Sequence, residues 1–361
     1  MDKATPAIRN VRARAVVTPL SRPVKNAFGV IDAGPLVLID VETNQGVTGH
    51  SYLFAYTRLT LKPLVQLIED IGRDLIGKAV VPFDLMAAMD AKFRLLGSQG
   101  LIGMAMSGLD MAFWDALGQA AGKPVVELLG GSAKPIQCYD SYGAVDAKAD
   151  ERDLRRSLEQ GFRGIKVKGG TGDAAEDERA IKGLRALLGP DIALMLDFNQ
   201  SLDVAEATRR INRLAPYDLG WIEEPVPQEN LSGHARVRET SPTPIQAGEN
   251  WWFPRGFAEA IAAGASDFIM PDLMKVGGIT GWMAVAAQAD AASIPMSSHI
   301  LPEASAHVLP VTPTAHWLEV LDFAGAVLAV PIKIVDGTLT ARGPGLGIEW
   351  NETAVTKYAV S

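Results

Sequence analysis

The chain has 361 residues, of which 48% are hydrophobic and 21% charged, and its formal net charge is −8. These proportions are typical of a globular protein and exclude a disordered chain, a collagen and a coiled coil. The excess of acidic residues, 42 against 34 basic ones, argues against a nucleic-acid partner. A single cysteine, Cys138, allows no internal disulfide and predicts a reducing, cytoplasmic compartment. Because no run approaches the roughly 20 apolar residues of a membrane-spanning helix, we expect neither a membrane partner nor a signal peptide.

The first part of the chain has the pattern of β-strands. Val11–Val17, Pro35–Val41 and Val47–Phe54 are rich in β-branched residues and partly alternate, and the turn at 42–46 predicts a hairpin between the last two. Leu20–Ala33 contains Pro23 and Gly29 among apolar residues and is followed by Gly34, and we interpret it as a long loop. Long loops of this kind often carry function, so we expect a lid over a binding site.

Helical periodicity follows from Leu59 to Ala121. Leu61, Leu64 and Ile68 recur on one helical face, and two further helical segments extend to Ala121. Residues 1–130 are therefore predicted to form a small α+β domain.

From about Pro135 onward, short apolar runs that end in polar residues alternate with helical stretches. The runs are Ile136–Asp140, Ile165–Lys168, Ala193–Asp197, Leu219–Glu223, Ile245–Glu249, Phe268–Asp272, Pro295–His299 and Trp317–Glu319. From Lys168 to Glu319 the ends of successive runs are 29, 26, 26, 23, 27 and 20 residues apart, which is about the length of one βα unit. Eight such units predict an α/β fold, a (β/α)8 barrel of the modified TIM type over residues 131–324. We expect residues 325–361 to pack back on the N-terminal capping domain.

The ends of the predicted strands carry an acidic cluster. In a barrel these ends converge on one mouth, where the active site lies. Asp197, Glu223 and Glu249 come from three consecutive strands, and their charges would repel unless a cation neutralised them. Mg²⁺ prefers such oxygen ligands, with Mn²⁺ as a second possibility. Glu224 follows Glu223 and is expected on the opposite face of the strand.

Two candidate bases flank the predicted metal site. Strand alternation places Lys166 and Lys168 on one face, where two ammonium groups should depress each other's pKa. On the other side, Asp272 is expected to orient His299 and raise its basicity. Glu319 is interpreted as a neutral acid that donates a hydrogen bond to a developing oxyanion. These parts suit removal of a proton α to a carboxylate, and two bases on opposite faces permit racemisation.

The motifs at these positions are Lys166-Val167-Lys168, Leu196–Ser201, Trp221–Pro225, Gly248–Trp251, Pro271–Gly278, Ser297–His299 and Ala315–Glu319, with Gly49–Tyr56 near the start. Through them the chain resembles the enolase superfamily, and within it the mandelate racemase-like enzymes. The resemblance extends over nearly the whole chain. It departs from the family pattern at Phe28, Tyr142 and Ile300-Leu301, all near the substrate, which leaves the identity of the acid open.

The resemblance implies a role for each site residue. Mg²⁺ would be held by the three carboxylates, Lys168 would be the base on the S face of the substrate, and His299 would be the base on the R face. Lys166 would neutralise the substrate carboxylate, and Glu319 would hydrogen-bond its other oxygen. The implied substrate contacts are Ser141, Asn199, Val24, Phe28, Ile31, Phe54 and Tyr56, with the 20–33 segment as the lid.

The leading hypothesis is a Mg²⁺-dependent racemase of a mandelate-like, apolar or aryl 2-hydroxy carboxylic acid, with an enediolate intermediate. An acid-sugar dehydratase with the same metal site and His–Asp pair is the alternative, although the apolar lid argues against a polyol. A cycloisomerase is expected to have a lysine at the position of Asp272, and a silent binding protein is expected to have a broken catalytic position. The resemblance also implies a homo-oligomer, an octamer.

Overall fold

Two sheets organise the computed structural model of the chain, which describes residues 5–360. The first is antiparallel, with the order β1-β2-β3, and is formed by Ile8–Asn26 (β1), Gly29–Thr43 (β2) and Thr48–Phe54 (β3). The helices that follow are Leu61–Leu75 (α1), Pro82–Phe93 (α2), Leu101–Ala121 (α3) and the short Val125–Leu128 (α4). The predicted α+β arrangement of strands followed by three long helices is present.

Helix α3 lies between the first sheet and the barrel, and apolar residues cover most of its circumference because both sides are buried. Its approach to β3 is close: a Cβ atom on Gly49 would lie 2.1 Å from the carbonyl oxygen of Ala112. Only glycine permits this packing distance. Within residues 5–360, none of the helices combines the length and the apolar character that crossing a lipid bilayer requires.

The second sheet is the barrel. Its strands are Ile136–Ser141 (β4), Gly164–Lys168 (β5), Ala193–Asp197 (β6), Ile222–Glu223 (β7), Ile245–Ala247 (β8), Phe268–Ile269 (β9) and Leu318–Val320 (β10). The helices that alternate with them are Glu151–Glu159 (α5), Ala174–Leu188 (α6), Val204–Leu214 (α7), Leu231–Thr240 (α8), Phe253–Ala262 (α9), Gly278–Ala291 (α10) and Pro302–Val308 (α11). The strands pair in parallel in the order β10-β4-β5-β6-β7-β8-β9, so the barrel prediction is confirmed.

One predicted strand, Pro295–His299, is not a regular strand. Isolated bridges join Met296 to Ile269 on one side and to Ala315 on the other, and they close the barrel between β9 and β10. β8 and β9 end earlier than predicted, at Ala247 and Ile269, and β7 begins later, at Ile222. Gly248, directly after β8, has a φ of 132°, which ends regular pairing there.

The predicted lid loop at 20–33 is wrong as a loop and is a β-hairpin. β1 and β2 continue past the body of the sheet, with Val24 opposite Ile31 and Asn26 opposite Gly29. Pro23, which with Gly29 and Gly34 suggested a loop, lies at an irregularity in the pairing between Pro19 and Val24. β1 is an edge strand, where proline costs no ladder hydrogen bond, and a bulge absorbs the change in register.

The C-terminal segment contacts both parts of the molecule. Thr338–Leu339 (β11) pairs antiparallel with β4 of the barrel. The helix Glu352–Tyr358 (α12) is followed by Ala359, which bridges to Val16 of the first sheet. Trp350 donates a hydrogen bond of 2.7 Å to the buried Asp40, which fixes the end of the chain against the first sheet.

Candidate active site

Three buried carboxylates meet at the mouth of the barrel. Asp197 and Glu223 are the last residues of β6 and β7 and lie opposite each other in the ladder, and Glu249 follows β8 by two residues. Each offers one oxygen, and these oxygens all lie within 4.8 Å of one another. The predicted cluster is therefore assembled from three strands, with a spacing and a donor set that suit a hard divalent cation.

The charges of this cluster call for a cation. Burial raises the pKa of Glu223 to about 8, and the neighbouring carboxylates of Asp197 and Glu249 add to the effect while Lys166 opposes it. A fully buried carboxylate with two acidic neighbours is costly to ionise. A divalent ion among the three oxygens would remove this cost, so the residues fit the metal that the sequence predicts.

Lys166 and Lys168 extend from β5 toward the cluster on the same face, as alternation predicted. Lys166 Nζ lies 2.6 Å from Glu223 Oε1 and 2.8 Å from Glu319 Oε1. The ammonium group of Lys168 pairs with the carboxylate of Asp197. Both lysines are therefore directed at the centre of the site.

The expected mutual depression of the two lysine pKa values is wrong for this arrangement. Burial lowers the pKa of Lys166, but Glu223 and Glu319 outweigh it and the pKa rises well above its ordinary value. Burial likewise lowers the pKa of Lys168, but Asp197, together with Glu249 and Glu223, outweighs burial and raises it. The reason is that the attraction of the neighbouring carboxylates outweighs burial and, at Lys168, the repulsion from Lys166.

His299 lies on the other side of the cluster between two carboxylates. Its Nδ1 is 2.7 Å from Asp272 Oδ2, and its Nε2 is 3.0 Å from Glu249 Oε2. Asp272 is held in turn by the backbone N–H of Met274, which donates to Oδ1 over 2.6 Å. Burial lowers the pKa of His299, but Glu249 and Asp272 raise it to about 10. The expected orienting contact between Asp272 and the imidazole is present.

Glu319 is ionised, which corrects its interpretation as a neutral acid. Burial raises its pKa, but Lys166 and His299 outweigh burial and lower the pKa to about 2. Its Oε1 receives the salt bridge from Lys166, and its Oε2 accepts a 2.9 Å hydrogen bond from the backbone N–H of Ile300. The sequence pattern identified the position of Glu319 but not the cation beside it.

Two predicted polar contacts present unused hydrogen-bonding atoms. Among the residues that the structure describes, the Ser141 hydroxyl and the Asn199 side-chain oxygen are buried and have no hydrogen-bond partner. The amide of Asn199 donates to Asp197 over 3.0 Å, and its backbone φ of 44° is strained for a residue other than glycine. Unsatisfied buried polar atoms beside a metal cluster suit contact with a polar ligand.

The apolar residues expected to surround the substrate fall into two groups. Phe54 is buried, its ring stacking on Phe323 with the ring centres 4.1 Å apart, and the Tyr56 ring centre lies 4.8 Å from that of Phe54.

The second group lies on the hairpin. Val24 is buried at the base of the hairpin. Ile31 is half-buried on the opposite hairpin strand, whereas Phe28, at the hairpin tip, is 75% exposed. The structure therefore does not place Phe28 in the expected wall.

The base of the hairpin is held by a charged contact that the sequence pattern did not identify. Arg22 donates two hydrogen bonds of 2.6 and 3.2 Å to Asp140, and its guanidinium lies 3.8 Å from the ring centre of Tyr142. Val24 and Ser141 line the same cavity of about 490 Å³. Arg22 thus fixes the hairpin to the strand end that carries a predicted substrate contact.

Sequence reasoning also missed a network around Glu224. This residue is completely buried, and its Oε2 accepts a hydrogen bond from Asn250. Lys275 donates to the same asparagine. The sequence holds only an indirect signal, because Asn250 directly follows a predicted metal ligand and Lys275 lies three residues after Asp272.

Comparisons with known proteins agree with this geometry. Residues 8–130 match the family model for the mandelate racemase / muconate lactonizing enzyme N-terminal domain, and residues 149–354 match the enolase C-terminal domain-like model. A crystal structure of an enolase from Bradyrhizobium complexed with magnesium and mandelic acid is 80% identical, covers 99% of each chain and superposes with a TM-score of 0.98. D-galactarolactone cycloisomerase of Agrobacterium fabrum is 31% identical over 97% of this chain and 98% of its own length. L-talarate/galactarate dehydratase of Salmonella typhimurium is 32% identical over 95% of this chain and 89% of its own.

Proposed function

The chain belongs to the mandelate racemase / muconate lactonizing enzyme family of the enolase superfamily, and we propose that it is a Mg²⁺-dependent racemase of a 2-hydroxy carboxylic acid. The relatives named above include a cycloisomerase and a dehydratase, which share this fold but differ in the bond that changes. The arrangement of bases in this chain is what favours racemisation.

The proposal rests on one observation: the two candidate bases contact two different carboxylates of the same cluster. Lys168 pairs with Asp197, and His299 lies 3.0 Å from Glu249. Asp197 and Glu249 both belong to the cluster, whose oxygens lie within 4.8 Å of one another. A small acid held at this cluster would therefore have one base on each side of its α-carbon, which is the requirement for inverting that carbon.

Each residue then has a defined task. With Asp197 committed to Mg²⁺, Lys168 would lose the pairing that raises its pKa and, in its neutral form, would take the α-proton of the S enantiomer. Protonated His299 returns a proton to the opposite face, with the roles exchanged for the R enantiomer. Asp272 holds the imidazole so that Nε2 is the atom that exchanges the proton. Lys166 neutralises the substrate carboxylate. Glu319 hydrogen-bonds the other carboxylate oxygen with a proton that it takes up from solvent when the anionic substrate draws Lys166 away from it.

When bound, Mg²⁺ supplies the positive charge that stabilises the enediolate, and Asp197, Glu223 and Glu249 are the residues that would hold it. The buried side chains of Val24 and Phe54 would offer an apolar surface to the substrate, with the partly exposed ring of Tyr56 beside Phe54. An apolar or aryl acid suits this surface. The mandelic acid complex of the 80% identical Bradyrhizobium protein supports the same class of substrate.

Acid-sugar dehydration is the second candidate. It is supported by the 32% identity with L-talarate/galactarate dehydratase over 95% of this chain. The unpartnered Ser141 and Asn199 atoms could receive substrate hydroxyls. A dehydratase would use the same His–Asp pair to expel a β-hydroxyl group rather than to return a proton.

The test is to incubate each enantiomer of a panel of 2-hydroxy acids, mandelate included, and a panel of acid sugars with the protein and Mg²⁺ in D₂O. Racemisation predicts loss of optical rotation together with deuterium at the α-carbon. A 2-keto-3-deoxy product would show dehydration instead. If no acid of either panel undergoes racemisation or dehydration, both proposed functions are contradicted.

Two further expectations belong to this proposal. The family resemblance supports a homo-octamer, which size-exclusion chromatography with light scattering would measure. The single, buried cysteine supports a cytoplasmic location, which fractionation of the source cells would test.

A further inference from the structure

A fourth carboxylate, Glu224, is buried beside the metal cluster. It follows Glu223, and strand alternation alone would direct it away from the cluster. Its φ of 37° breaks that alternation, and its side chain is completely buried. A non-glycine residue is held in such a conformation only where the surroundings over-determine it. Those surroundings are a chain of contacts that leads back to the metal ligand Glu249.

The first link is the amide of Asn250. Its Nδ2 donates a hydrogen bond of 2.7 Å to Glu224 Oε2 and another of 3.1 Å to Glu249 Oε1. One amide group therefore joins a predicted metal ligand to the adjacent buried carboxylate. Since Nδ2 has two protons, it satisfies both acceptors at once and fixes the separation of the two carboxylates.

The second link is Lys275, which decides the orientation of that amide. Lys275 Nζ lies 2.5 Å from Asn250 Oδ1, and the residue is only 4% exposed. An ammonium group can donate hydrogen bonds but cannot accept them, so it requires the amide oxygen on its own side. The amide nitrogen is then turned toward the two carboxylates. Lys275 and the two carboxylates therefore select the same amide orientation, and without Lys275 the amide oxygen would lose its donor and the amide one of the contacts that hold it.

The third link comes from the capping domain. Lys275 Nζ lies 4.7 Å from the centre of the Tyr56 ring, which follows the end of β3. A cation over an aromatic face is attracted to it, most strongly where water is excluded. Tyr56 thus contacts the ammonium group that also donates to Asn250, and the contact ties the capping domain to the barrel at the metal site.

We propose that Lys275 and Asn250 are positioning residues for the third metal ligand: Lys275, in contact with Tyr56, sets the Asn250 amide, and that amide sets the carboxylate of Glu249. The inference rests on the proposed function in one respect, that the carboxylate cluster holds Mg²⁺. Lys275 and Asn250 would orient a metal ligand without touching the metal. Loss of such an orienting contact typically weakens metal affinity or activity by about 10–100-fold.

The experiment measures Mg²⁺ affinity by isothermal titration calorimetry of the full-length, metal-free protein. Lys275→Met and Asn250→Leu are each expected to raise the Kd for Mg²⁺ by about 10–100-fold. The double variant should be no weaker than the weaker single variant, because both act through one amide. Lys275→Arg keeps a cationic donor and should lose less than Lys275→Met. Lys182→Met removes the same charge from the exposed face of α6 and is the matched control.

Two results would overturn the inference. One is a Lys275→Met or Asn250→Leu protein that unfolds at the wild-type temperature and binds Mg²⁺ with the wild-type Kd. The other is a double variant whose loss equals the product of the two single losses. If Lys275→Met does not fold, Asn250→Leu carries the test alone, and an unchanged Kd overturns the proposal.

Kinetics separate a positioning role from a catalytic one. At saturating Mg²⁺, kcat of both variants should approach the wild-type value, since neither residue contacts the reacting atoms, and a kcat that stays low would contradict the proposal. The Mg²⁺ titration needs no substrate. Wild-type protein that binds Mg²⁺ but racemises no acid would therefore contradict the proposed function and leave this inference standing.

Discussion

Nε2 of His299 lies 3.0 Å from Oε2 of Glu249, so a candidate base is in direct contact with a candidate metal ligand. The two side chains come from segments 50 residues apart in the sequence, and the barrel brings them together. The proton-transfer group and the metal ligand therefore share one location. A substrate α-carbon held there would lie within reach of the imidazole.

Replacement of the imidazole should separate the two half-reactions. His299→Asn is expected to abolish racemisation, a loss of at least about 10²–10⁴-fold, while Lys168 still exchanges the α-proton of the S enantiomer. Proton NMR in D₂O measures that exchange for each enantiomer, with the wild-type protein as control. Exchange of the R enantiomer alone would reverse the assignment of the two faces.

The carboxylate behind the imidazole should affect rate more than binding. Asp272→Asn keeps the shape of the side chain but removes the charge that orients Nδ1 of His299 and supports its protonated form. We expect kcat to fall by about 10-fold or more, with little change in KM. Steady-state kinetics on the most active acid measures this, and an unchanged kcat would show that Asp272 has no orienting role.

Removal of the metal should stop the reaction reversibly. Dialysis against EDTA is expected to abolish activity, and added Mg²⁺ should restore it, because the three carboxylates are otherwise repelling anions. Asp197→Asn should need a higher Mg²⁺ concentration for half-maximal activity. Full activity of the EDTA-treated protein in metal-free buffer would contradict a metal requirement.

The anchor of the hairpin offers a test of the lid. Arg22→Met leaves the buried Asp140 without its cation and should lower the free energy of unfolding by about 1–3 kcal/mol. KM for the acid should rise, since Val24 would no longer be held beside the site. The double variant Arg22→Met/Asp140→Asn removes the orphaned charge and should recover part of the stability. Urea denaturation measures the free energy of unfolding of both variants, and steady-state kinetics measures KM. Equal stability of the single variant and the wild type would refute the anchoring role of Arg22.

A buried acid between the two domains should make stability depend on pH. Burial raises the pKa of Asp110 from 3.8 to about 7, although hydrogen bonds from Thr280 oppose the shift. As the pH rises from about 4 to 7, the unfolded chain releases this proton while the folded protein retains it, so the folded state loses stability. Asp110→Asn should remove this loss, which is on the order of 1–4 kcal/mol.

Urea unfolding of wild type and Asp110→Asn at several pH values between 4 and 8 measures this difference. Asp84→Asn, which changes the same charge at an exposed position of α2, is the matched control. The difference in unfolding free energy between wild type and Asp110→Asn should move in favour of the variant as pH rises. A difference that stays constant across this range would contradict a raised pKa at Asp110.

The barrel and the residues at its mouth follow from the amino-acid sequence alone. Polar residues after apolar runs at intervals of 20–29 residues predict strand ends, and the parallel order of the strands brings those ends to one rim. Asp197, Glu223 and Glu249 could be named as a cluster for this reason. Alternation along β5 also placed Lys166 and Lys168 on the same face, as the structure has them.

The charge states of the site residues and the shape of the lid, in contrast, depend on how distant segments come together in the folded chain. Glu319 was expected to be neutral, but Lys166 lies 2.8 Å away and keeps it ionised. A pKa depends on every charge within a few ångströms, and such distances are not encoded in local sequence patterns. The hairpin at 20–33 and the link from Lys275 through Asn250 to Glu249 depend likewise on pairing between distant segments, which spacing along one strand cannot reveal.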